Sequence, residues 1–163
     1  VRRWSDGDTL DHVDDRRSAN HLNVLVYSSN SQSRRQVIDA LGDRPTRDLP
    51  PVQVLEVATA QVVRDELAAG GIDLAILDAE ASPHGGMGLS RQIHDEIASP
   101  PPILLLVSRE QDRWLADWSE ADAIVVRPVD PFALARTASE TLRSRYELYD
   151  RLSRLASTAW SDN

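Results

Sequence analysis

The sequence predicts an α/β domain built on a five-stranded, parallel, doubly wound sheet, with an extended helix at its C-terminal end. Three observations carry that expectation. Short apolar runs rich in Val, Ile and Leu alternate with helical periods five times over about 120 residues. Those runs carry few polar interruptions, as strands covered on both faces do. The last helical period continues from Pro131 to about Ala159.

Taken in order, Val24–Tyr27 is the first strand, closed by the polar cluster Ser28 to Ser31. Ser33–Leu41 is a helix with Val37, Ile38 and Leu41 on one face, stopped by Gly42. After a loop from Pro45 to Pro51 come strand Val52–Val57 and helix Thr59–Ala69, which ends at Gly70-Gly71. Strand Ile72–Leu77 delivers Asp78 at its carboxyl end. The glycine-rich stretch His84–Gly88 reads as a turn before a helix from Leu89 to Ala98, broken by Pro100-Pro101-Pro102. Strand Ile103–Val107 leads into Ser108, and a short helix over Gln111–Trp118 precedes strand Ala123–Val126 and Arg127-Pro128. Pro131 suits the first turn of the last helix.

Composition narrows the function. The chain has 163 residues, 41% of them hydrophobic, enough for one core. The absence of cysteine excludes disulfides, a thiol nucleophile and thiolate metal sites. All 18 basic residues are arginine, so lysine chemistry is excluded too. A formal charge of −8 argues against nucleic acid or anionic membranes as partners, because neutralising phosphates needs clustered basic charge. No apolar run approaches the roughly 18–20 residues of a membrane span, and Val1 to Asp8 shows no apolar signal region. The expectation is a soluble cytoplasmic protein without direct membrane insertion.

Residues 1–22 read as a charged arm, with Trp4 as the large anchor. Residues 23–143 form the domain, and 144–163 extend its last helix. In an open α/β sheet a site lies beyond the carboxyl ends of the strands. Those ends supply Ser28, Ser29, Asp78, Ser108 and Arg127.

With Asp78 ending the third strand, Ser108 the fourth and Arg127-Pro128 the fifth, residues 23–143 resemble the receiver domain of bacterial response regulators. The resemblance implies a flavodoxin-like fold with strand order 2-1-3-4-5 and makes Asp78 the counterpart of the phosphoacceptor aspartate. It also implies an acidic pair for Mg²⁺, a hydroxyl residue, a lysine and a switch aromatic. Here Ser28 and Ser29 stand for the acidic pair, Arg127 for the lysine and Ile124 for the aromatic; only Asp78 and Ser108 match.

Phosphoryl transfer onto a carboxylate brings anions together and relies on a divalent cation. Mg²⁺ is held mainly by carboxylates, and serine hydroxyls replace them poorly. One carboxylate and one guanidinium can instead neutralise each other, with Ser28, Ser29 and Ser108 filling the remaining hydrogen bonds. The expectation is a degenerate phosphoacceptor site with no metal, no cofactor and no catalysis. Glu80, two residues after Asp78, is the side chain able to rescue a cation site.

Other motifs carry less. His84–Gly88 lacks the ending of a P-loop, the four histidines have no metal-ligand spacing, and no Gly-x-Ser-x-Gly occurs. Aromatic placement says more, because Trp and Tyr are favoured interface anchors. Trp114 and Trp118 share one helix face. Tyr146 and Tyr149 lie on an apolar stripe with Leu142, Leu152 and Ala156, and Trp160 follows. With Trp4, these six aromatics are the candidate partner-binding residues, although Trp114 and Trp118 also suit packing on the sheet, and the stripe a folded-back helix or a homodimer seam. The extension is too short for a DNA-binding output domain.

The stretches Val24–Ser28, Gly71–Asp78, Gly85–Gly88, Pro101–Leu104 and Pro128–Pro131 extend the resemblance to orphan response-regulator homologues of mycobacteria associated with type I NADH dehydrogenase, respiratory complex I. That resemblance implies a non-catalytic, stand-alone pseudo-receiver acting as an accessory or regulatory docking module, held peripherally at the inner membrane through subunits of that complex. The alternatives are a phosphorylatable regulator in a two-component phosphorelay and a regulator that binds a small anion.

Overall fold

The computed structural model describes residues 21–161. The elements run β1 (Leu22–Tyr27), α1 (Ser31–Leu41), β2 (Val52–Val57), α2 (Ala60–Ala69), β3 (Leu74–Asp78), α3 (Gly86–Glu96), β4 (Ile103–Val107), a 3₁₀ turn (Glu110–Asp112), α4 (Arg113–Ser119), β5 (Ala123–Val126) and α5 (Pro131–Ser161). All five strands pair in parallel, in the order β2-β1-β3-β4-β5. This is the expected doubly wound receiver fold, with the C-terminal helix present.

Because successive strand side chains point to opposite faces, the sheet divides its core in two. Val24 and Val26 face a cluster closed by Val37, Ile38 and Leu41 of α1 and by Leu134, Ala138 and Leu142 of α5. Leu25 and Tyr27 face the other, closed by Ala60, Val63 and Leu67 of α2 and Leu89 and Ile93 of α3. Burial on both sides explains the unbroken apolar runs.

The boundaries differ from expectation where side chains or close packing decide them. Strand β1 starts at Leu22, inside the expected arm, because the Leu22 N–H donates to the Pro51 carbonyl at 2.9 Å. The rest of that arm, with Trp4, lies outside the described residues. Helix α1 starts two residues early because the Asn30 carboxamide oxygen accepts from the Gln32 and Ser33 N–H groups, at 2.8 and 3.3 Å. Helix α3 starts inside the glycine-rich stretch, at Gly86, and ends at Glu96 rather than Ala98. A Cβ on Gly86 would lie 2.8 Å from the Asp78 carbonyl oxygen, and one on Gly85 would lie 2.6 Å from that of Ala79. The glycines let α3 begin against the end of β3.

Helix α5 is continuous through the boundary expected at residue 143. Arg143 holds the α1–β2 loop through Asp48, with Nε 2.8 Å from Oδ2. That pairing, with a Thr46 hydroxyl bond, keeps the Asp48 carboxyl far below the usual carboxylate range. Among the described residues no helix is long and apolar enough to cross a membrane.

Candidate functional site

Asp78 ends β3 with its side chain only 4% exposed. A buried carboxylate needs its charge and lone pairs met, and three elements meet them. Ser28, at the end of β1, donates from Oγ to Asp78 Oδ2 at 2.7 Å. The Glu80 backbone N–H donates to Oδ1 at 3.0 Å. Arg127, just past β5, brings Nη2 to 2.8 Å from Oδ2. That last contact is an ion pair rather than an aligned hydrogen bond, since Nη2 and Nε have no acceptor in line with their N–H groups. Nη1 donates to Ser33 Oγ at 3.3 Å, tying the guanidinium to α1.

The sheet order accounts for this meeting, because β1 and β4 both flank β3 and Arg127 spans the end of β4. Ser28 is fixed in turn: its Oγ accepts from the Asn30 N–H at 3.1 Å, and its carbonyl accepts from Arg34 Nη1 at 2.6 Å. Arg34 is anchored to Glu56 at 2.8 Å. Tyr27, buried beside Asp78, donates its hydroxyl to the His84 carbonyl at 2.8 Å. Burial raises the Tyr27 pKa, and the negative charge of Asp78 raises it further.

Two of the expected hydrogen bonds are absent. Ser29 is exposed, and its Oγ accepts from the Ser82 N–H at 3.0 Å instead of reaching Asp78. Ser108 is also exposed and contributes nothing to the carboxylate. Glu80 serves through its backbone while its side chain faces solvent. Sequence reasoning missed Asn30 and Ser33, which hold Ser28 and Arg127; the polar cluster after β1 was the cue to Asn30, and Ser33 lies in the first turn of α1.

Trp114 and Trp118 do not pack on the sheet; they are 67% and 55% exposed. Tyr146 is exposed on α5. Tyr149 and Trp160 lie on the same helix, but their side chains fall outside the described residues. Phe132, in the first turn of α5, is 86% exposed and was not singled out from the sequence.

No protein-family model matches the chain. It is 53% identical over 127 residues to an uncharacterised response regulatory protein of Mycobacterium tuberculosis, a match covering 78% of this chain and 96% of that protein, in strains H37Rv and CDC 1551 alike. Among solved structures, the signal receiver domain of an HD domain-containing protein from Pseudomonas fluorescens superposes with a TM-score of 0.64 at 20% identity, covering 82% of this chain and 96% of that one. The chemotaxis protein CheY4 of Vibrio cholerae gives 0.60 at 18%, covering 74% and 98%. The fold and its strand-end aspartate define a receiver domain, and the chain belongs to the response regulator family.

The divalent cation implied for such a site does not fit these residues. A cation needs oxygen ligands with free lone pairs, preferably carboxylates. Asp78 supplies the one carboxylate, and it already faces a guanidinium at 2.8 Å. Ser28 Oγ directs its proton at Asp78 and accepts from a backbone N–H, and Ser29 Oγ is taken by Ser82. Among the described residues no group of three or more His, Asp or Glu side chains could hold a metal ion.

Proposed function

We propose that this receiver domain is a non-catalytic pseudo-receiver that works by docking onto a larger protein assembly rather than by accepting a phosphoryl group. The observation that carries the reading is the occupied state of Asp78: Ser28, the Glu80 N–H and Arg127 already engage its oxygens. A carboxylate so held is a poor nucleophile toward a phosphoryl donor, since attack requires breaking an internal ion pair and gaining a cation to absorb charge. The exposed Trp114, Trp118 and Tyr146 support the docking half. The resemblance to mycobacterial orphan regulators supports, as the proposed partner, subunits of type I NADH dehydrogenase on its cytoplasmic side, with the chain as an accessory or regulatory subunit.

Affinity isolation of the tagged chain from detergent-solubilised native membranes, followed by mass spectrometry, tests this. Enrichment of NADH dehydrogenase subunits, equal for Asp78→Asn, is the expected result. Enrichment of a histidine kinase without those subunits, together with Asp78 labelling by a phosphoryl donor, overturns it in favour of a phosphorelay regulator.

A further inference from the structure

Helices α1, α2, α3 and α5 each bury a row of side chains against the sheet, but the described side chains of α4 form no such row. Among its described side chains only Ser119 is buried, and the two largest, Trp114 and Trp118, stand in water one turn apart. Ser119 fixes the helix instead, its carbonyl accepting from Ser90 Oγ at 2.8 Å. The tryptophans therefore contribute little to holding α4 in place. Two adjacent indoles left exposed on an anchored helix form an apolar patch of the kind that marks an interaction site.

The charge around the patch selects its occupant. From Arg109 to Asp122 the chain carries five carboxylates and two guanidiniums. Glu110 pairs with Arg113, Glu120 pairs with Arg91, and Asp122 accepts from the Ile103 N–H. Asp112 and Asp117 have no ion pair among the described residues, and Asp117 lies one turn from Trp114. An indole face attracts cations, and a nearby uncompensated carboxylate strengthens the preference. A second copy would bring the same negative edge against itself, and an anionic membrane surface would be repelled.

We infer that the α4 face docks a basic, partly apolar protein segment, with arginine or lysine side chains over Trp114 and Trp118 and beside Asp112 and Asp117. This rests on the docking reading above and specifies the partner's chemistry.

The test has two arms, both with the full chain. In the first, a synthetic arginine–leucine peptide is titrated calorimetrically against a glutamate–leucine peptide of equal length. The expected result is at least ~10-fold tighter binding of the arginine peptide, weakened several-fold by raising salt from about 0.05 to 0.5 M. It should be lost in Trp114→Ala/Trp118→Ala and in Asp112→Arg/Asp117→Arg, and kept when Asp65 and Glu66 on α2 are reversed instead. Equal binding of the two peptides, or binding indifferent to the α4 substitutions, overturns the inference. In the second arm the same variants are used for capture from solubilised membranes. Capture of NADH dehydrogenase subunits that survives the α4 substitutions overturns the α4 site and leaves the docking reading standing. Peptide binding without capture of those subunits sustains the α4 site and removes the proposed complex.

Discussion

Arg127 reaches across the end of β4 to Asp78, its Nη2 2.8 Å from Oδ2, and so links two strands that are not neighbours in the sheet. The guanidinium thereby supplies the counter-charge that the buried carboxylate needs. Removing either member has unequal consequences, because Asp78 is almost fully buried and Arg127 is about a fifth exposed.

Arg127→Ala leaves a buried carboxylate without a counter-charge and should cost about 3–5 kcal/mol in urea unfolding. Asp78→Asn should cost about 1–3 kcal/mol, since the guanidinium can turn toward water. The double variant should lose less than the sum of the two. Additive losses would show that the two side chains do not interact.

Gly86 and Gly88 should respond oppositely to alanine. At Gly86 the new methyl meets the Asp78 backbone at 2.8–2.9 Å, which cannot give way cheaply, and about 1–3 kcal/mol should be lost. At Gly88 nothing lies within 4 Å, and alanine in an exposed helical turn should gain about 0.5–1 kcal/mol. Thermal unfolding of the two variants checks both signs.

Two groups couple the fold to pH. Tyr27 resists ionisation in the folded state, so its contribution is fully present below the ordinary tyrosine pKa of 10.0 and lost as pH rises toward its raised folded value. Tyr27→Phe should flatten that alkaline decline, measured by unfolding across the alkaline range. Asp48 titrates the other way: its depressed carboxyl keeps the Arg143 link intact below the ordinary value of 3.8, and the link is lost only as pH falls through the lower folded value. A carboxyl NMR titration in which Asp48 shifts near 3.8 would contradict the pairing.

Trp114→Ala and Trp118→Ala should each change stability by less than about 0.5 kcal/mol, as substitutions on an exposed surface do. Leu142→Ala on α5, fully buried, should cost about 2–5 kcal/mol. A large loss at either tryptophan, measured by denaturant unfolding, would place it in the core.

The sheet was legible because burial on both faces writes unbroken apolar runs, and because those runs end at polar residues that need the strand ends. The meeting of Asp78 and Arg127 was legible from charge: one carboxylate and one guanidinium at strand ends on the same edge of the sheet have no better partner, even across the intervening β4. Hydrogen-bond partners were less legible. Ser28 and Ser29 are equivalent in sequence, yet strand alternation turns one into the site and leaves the other to the Ser82 N–H. Ser108 had the right chemistry in the wrong direction. The start of α3 was misplaced because the glycines read as a turn, while close approach of helix to strand is what they permit. Phe132 escaped notice because a lone aromatic in a helical first turn is most simply read as core.

The strand order also fixes a sequence of events during synthesis. Strand β1 is made first and lies inside the sheet, but its partners β2 and β3 emerge later, and Ser28 waits 50 residues for Asp78. No strand pair is local, so collapse onto β1 requires long loops to close first. Arg127 arrives last of the site residues, 94 positions after Ser33, which it also contacts. Until β5 docks, a partial sheet that buried Asp78 would hold its charge without a cation, so the half-built fold is penalised where the finished one is satisfied. Synthesis therefore delivers, just past the final strand, the counter-charge that makes the earlier strands worth closing.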